Sequence, residues 1–128
     1  MKYYISQNLA SSFDEAVEKV KESLKAEGFG VLCEIDIQEK LKEKLNVDFR
    51  KYKILGACNP AYAYKALQSE DKIGTMLPCS VIVQERDNNA IEIAAVDPIA
   101  SMMAIENPEL AGVASEVKER LERVIATL

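Results

Sequence analysis

The chain has 128 residues, 48% of them apolar and 29% charged, which suits one folded domain over residues 1–128 and excludes a disordered segment. Its formal charge of −5, from 16 basic and 21 acidic side chains, offers no basic face, so no nucleic-acid partner is expected. No apolar run nears the roughly 18 residues of a membrane span, and MKYYISQNLASSF lacks the apolar middle of a signal peptide. No membrane partner and a cytoplasmic location are therefore the expectations.

The first strand is expected over 2–9, with Tyr3 and Ile5 on one face and Tyr4 on the other. Ser12 then opens a helix, with Glu15 at capping-box spacing. Phe13, Ala16, Val17, Val20 and Leu24 recur at helical intervals, and Gly28 ends the helix in the left-handed region. GVLCEIDI alternates so that Val31, Cys33, Ile35 and Ile37 share a face, which predicts a half-buried strand with Cys33 in the core. QEKLKEKLNVD is a short charged helix with too narrow an apolar stripe to organise a core.

YKILGACN predicts a third strand and NPAYAYKALQ a helix, with Asn59 as its N-cap and Pro60 at its first position. Residues 69–78 form a connector with room for one further helical turn. SVIVQER and AIEIAAV alternate on either side of DNN, an antiparallel hairpin. Asn107 and Pro108 open the last helix, whose apolar face runs from Leu110 through Val117 and Leu121 to Leu128.

This order, β-α-β-(short α)-β-α-β-β-α, predicts an α+β fold: a largely antiparallel sheet with helices packed on one face. The rival is a mixed sheet with helices on both sides. Leu32, Leu55 and Val96 are assigned to the uncovered face, and an apolar face of that kind predicts a homodimer.

The chain contains no histidine, which removes Ser-His and Cys-His nucleophile pairs and histidine metal sites. It has neither a P-loop nor a GxGxxG turn, so no cofactor is expected. Its three cysteines lack CxxC spacing and read as reduced thiols. Met76, Met102 and Met103 add soft sulfur that would suit Cu(I), yet such methionines more often fill gaps, and no metal is expected. Among the acidic residues only Glu85 and Asp97 stand at strand ends.

Chemistry therefore concentrates on Cys58 and Cys79. Cys58 precedes a helix amino end, where unpaired N–H groups favour a thiolate or hold an anion. Each cysteine also reads as ordinary packing, Cys58 closing a strand and Cys79 following Pro78 into the most apolar one. If these strands pair antiparallel, the two thiols fall at the same end of the sheet; if parallel, at opposite ends. Tyr62 could border a pocket beside Cys58.

GACNP, the alanine-rich AYAYKAL, LPCSVIV and VDP in this order resemble the bacterial and archaeal family called domain of unknown function 302, across essentially the whole chain. The resemblance places emphasis on Cys58, Asn59, Pro60, Ala63, Ala66, Leu67, Leu77, Pro78, Cys79, Asp97 and Pro98. It implies a compact α/β domain, a homodimer, and no assigned activity.

Two functions stay open. One is a binding or regulatory module holding a small molecule or anion with Cys58, Asn59, Pro60, Tyr62, Cys79 and Asp97. The other is a thiol-dependent enzyme, or a redox or soft-metal protein, using Cys58 and Cys79.

Overall fold

A computed structural model describes residues 2–128; Met1, the first residue of the stretch read for a signal peptide, lies outside it. Five strands form one sheet: β1 (Tyr4–Leu9), β2 (Gly30–Asp36), β3 (Tyr52–Cys58), β4 (Cys79–Glu85) and β5 (Ile91–Val96). Their spatial order is β1-β5-β4-β3-β2, with every neighbouring pair antiparallel. The fold is α+β, and the mixed-sheet rival does not apply.

Helix α1 (Phe13–Ala26) starts where Ser12 accepts the Glu15 N–H, as the capping-box spacing predicts. It ends at Gly28, whose φ of +87° suits a residue without a side chain. Helix α2 (Ile37–Leu45) buries none of its residues. Helix α3 (Pro60–Ser69) follows β3, and one 3₁₀ turn (Ile73–Met76) occupies the connector before β4. A four-residue helix α4 (Pro98–Ser101) follows β5, and α5 (Pro108–Ala126) completes the chain. Among the described residues, no helix is long and apolar enough to cross a membrane.

The apolar stripes of α1 and α5 lie on one face of the sheet. Val20 and Leu24 from α1, and Leu121 and Val124 from α5, meet Val81, Val83 and Ile93. All seven are fully buried. Truncating one of the leucines to alanine costs about 2–5 kcal/mol, from lost burial and the cavity left behind. A smaller cluster of Ala66, Ile73 and Leu110 packs under α3, with Leu77, Met102 and Val113 at its margin.

Two assignments of facing change. The register of β2 against β3 jumps between Val31 and Cys33, so Leu32 is an extra residue in a bulge. A one-residue slip reverses every later side chain. Val31 consequently packs on the core, Cys33 is exposed, and Glu34 turns to Lys21 of α1 at 2.7 Å. Leu55, assigned to the uncovered face, is fully buried in the core, in phase with Ala57. The outward position between them is Gly56. A Cβ there would come within 2.6 Å of Cys33 Sγ and 2.8 Å of Pro78 Cγ, so the close approach of these two residues requires glycine.

The face away from α1 and α5 carries an open groove lined by Tyr4, Tyr52, Ile82 and Ala94. Polar side chains cross it in sequence: Arg50 Nε donates to Gln84 at 2.9 Å, and Gln84 Nε2 donates to Glu92 at 2.8 Å.

Candidate functional site

Strands β3 and β4 bring the two cysteines together. Ala57 stands opposite Cys79 in the ladder, and Cys58 is the next residue along β3. The antiparallel alternative is thus adopted. A ten-residue α3, about 15 Å long, and the connector behind it carry the chain back to the sheet end it left.

Both cysteines line a cavity of about 30 Å³. It lies at the seam between the main core and the smaller cluster. Phe29, Ala57 and Val117 contribute from the first, and Ala66, Leu77 and Met102 from the second. Asn59 and Tyr62 complete the rim near Cys58. A space of this size holds roughly one water-sized group.

The two thiols differ in setting. Cys58 is half-buried, whereas Cys79 is 8% exposed. Burial, and secondarily the neighbouring Cys58, pushes the Cys79 thiol up to about 11, so at neutral pH it keeps its proton. Cys33, expected in the core, is exposed and takes no part in this cavity. Among the described residues, no three of His, Cys, Asp and Glu gather as a metal would require. Met102 lines the cavity, while Met76 and Met103 are exposed.

Asn59 occupies the N-cap position of α3, yet its side chain does not cap the helix. The amide instead donates to the Glu27 carbonyl at 3.3 Å, at the carboxyl end of α1. Gly28 makes room for that reach, since a Cβ there would lie 3.1 Å from Asn59 Nδ2. The first-turn N–H groups of α3 therefore lack the side-chain acceptor that an N-cap supplies. Pro60, at the first helical position, is exposed.

Around this junction lies a polar cluster that sequence reasoning missed. Arg120 donates to the Tyr62 hydroxyl at 3.2 Å and to the Glu27 carbonyl at 3.2 Å. Arg123 donates to the Glu27 carboxylate at 3.0 Å. The only sequence signal was position: Arg120 sits three residues after Val117, beside the buried stripe of α5.

Asp97 does not line the cavity, though its neighbour Pro98 does. Its carboxylate accepts the Ile99 N–H at 2.9 Å and the Ala100 N–H at 3.4 Å, and pairs with Lys118 at 3.0 Å. Partial burial would raise this carboxyl. The hydrogen bonds from Lys118, Ala100 and Ile99 outweigh it and hold the group below the usual carboxylate range.

A family model described as "Domain of unknown function DUF302" matches residues 5–128. Among solved structures, the crystal structure of an uncharacterized conserved DUF302 protein from Bacillus stearothermophilus is similar over 98% of both chains. It has 31% identity and a TM-score of 0.91. No curated protein matches. With its whole fold and nearly its whole length shared in this way, the chain belongs to the DUF302 family, a family of unknown function.

Proposed function

We propose that the protein is a homodimeric binding module whose site is the cavity at Cys58 and Cys79 together with the open first turn of α3. The carrying observation is that one apolar cavity has both thiols in its lining and uncapped helix N–H groups on Cys58's side. Convergence of an apolar pocket with a few polar groups is the usual arrangement for a small ligand. The N–H groups, with the Arg120 guanidinium beside Tyr62, suit an anionic end, and the cavity suits a compact apolar or soft one. At about 30 Å³ the cavity takes only the tip of such a molecule. Pro60 contributes the helix start, and Asp97 holds α4 under Pro98, so these two act by positioning.

The dimer rests on the uncovered sheet face, where Tyr52 and Ile82 flank the Arg50–Gln84–Glu92 chain. Replacing Ile82 with Arg then yields a monomer by light scattering, and an unchanged mass sinks this part of the reading.

Thermal unfolding in the presence of small carboxylates, phosphates and thiols tests the site, because a ligand bound only by the folded state raises the midpoint. The reading requires a rise that Cys58→Ala or Arg120→Gln removes; equal rises in wild type and both variants contradict it.

A second reading, thiol chemistry at Cys58, is favoured by one specific observation. The reachable thiol shares the cavity with a second, buried thiol. Cys58 is then the nucleophile and Cys79 its silent neighbour, because a protonated thiol does not attack.

A further inference from the structure

The cavity's contents are constrained by its size and its chemistry together. About 30 Å³ admits one group the size of a water molecule. A water, however, needs roughly two to four hydrogen-bond partners, and a mostly apolar lining supplies few. Of the two side chains in the lining with strong polar groups, Asn59 Nδ2 donates to the Glu27 carbonyl and the Tyr62 hydroxyl accepts from Arg120, which uses part of what they could offer a water. The rest of the lining is mostly aliphatic, and the polarizable groups among it are the Met102 thioether, the Phe29 and Tyr62 rings, and Cys79, which is 8% exposed. Sulfur next to thioether and aromatic groups gains from such contacts.

We infer that the cavity holds a single sulfane sulfur atom carried on Cys58 as a persulfide, donated by a low-molecular-weight persulfide or polysulfide. This rests on the reactive-thiol reading above and names its substrate class. Cys58 loses its proton to solvent, and its thiolate attacks the outer sulfur of the donor R–S–SH. A new S–S bond forms to Cys58, the donor's S–S bond breaks, and its electron pair leaves on RS⁻. The transferred sulfur keeps its hydrogen, so no oxidant or reductant is consumed.

Cys79 decides what happens next. An ordinary neighbouring thiol would attack the persulfide and release sulfide, leaving a disulfide. Cys79 is buried and protonated at neutral pH, so the persulfide persists until an external thiol collects the sulfur. The device is therefore a carrier of one sulfur atom, protected from its own second cysteine.

The test uses the full chain with Cys33→Ala, which removes the exposed third thiol. The reduced, folded protein is treated with inorganic polysulfide, desalted and weighed by intact and peptide mass spectrometry. The expected result is a gain of one sulfur atom on Cys58, released as thiocyanate by cyanide. That gain should be lost in both Cys58→Ala and Cys58→Ser and retained in Cys79→Ala. A Cys58–Cys79 disulfide with sulfide released overturns the inference. A Cys58 that alkylates in the folded protein yet keeps no sulfur overturns it and leaves the reactive-thiol reading intact. A Cys58 that does neither overturns both.

Discussion

Cys58, the last residue of β3, lies one step along the ladder from Ala57, the partner of Cys79, and both thiols line one cavity. Their exposures differ, half-buried against 8%. That asymmetry gives the pair an outer and an inner member. It also makes the chemistry of each separately measurable.

Alkylation of the folded protein should follow exposure. Cys33 reacts first, Cys58 more slowly, and Cys79 only through opening of the fold. Peptide mapping after brief iodoacetamide treatment at pH 8 gives this order. Labelling of Cys79 before Cys58 contradicts the geometry.

The buried thiol makes stability depend on alkaline pH. Cys79 ionises near 11 in the folded protein against an ordinary value of 9.0, so the folded state holds its proton longer than the unfolded chain. Below pH 9 both states are neutral and the contribution is complete. As pH rises through 9 to 11, the unfolded chain ionises first, and stability falls by up to roughly 3 kcal/mol, about 1.4 for each unit. Urea unfolding across this range should show the decline in wild type and a shallower one in Cys79→Ala.

Asp97 ties three elements together, through the N–H groups of α4, the Lys118 ammonium on α5, and its own N–H donated to the Tyr3 carbonyl at 2.8 Å. Asp97→Ala should cost about 0.5–2 kcal/mol, the range for a lost helix cap. With its folded pKa depressed, the carboxylate stabilises above its ordinary value of 3.8 and loses that effect as pH falls through the lower folded value. Acid titration of the unfolding midpoint should therefore be less steep in Asp97→Ala.

Gly56→Ala places a methyl 2.6 Å from Cys33 Sγ and 2.8 Å from Pro78 Cγ. Overpacking of this kind costs typically 1–3 kcal/mol. Adding Cys33→Ala should recover only part of the loss, because the Pro78 contact stays. Full recovery would show that proline yields freely.

Much of the fold was legible because its signals are local. Ser12 with Glu15, Gly28, Asn107 with Pro108, and the period-two runs around DNN each state their own element, and the structure places those elements there. The β2 facing failed at Leu32, because a bulge is set by the partner strand and leaves no mark in apolar alternation. Leu55 failed for a related reason: β3 is apolar on both faces, so its phase comes from packing. At the candidate site, Cys58, Asn59, Tyr62 and Cys79 were named in advance, all within or beside GACNP and LPC. Asn59 kept its cap position while its amide went to the end of α1, a choice made across 32 residues of chain. Met102 was named only as soft sulfur, and Phe29 in the lining and Arg120 on the Tyr62 hydroxyl carried no sign of their place, since only tertiary packing brings them there.

Cys58 and Cys79 line one cavity, and a double-mutant cycle of Cys58→Ala and Cys79→Ala on unfolding free energy tests this directly. Residues that line a common cavity couple, so the double variant should depart from the sum of the singles by at least about 0.5 kcal/mol. Additivity within about 0.3 kcal/mol, the behaviour of distant sites, would contradict a shared cavity and with it the site built upon it.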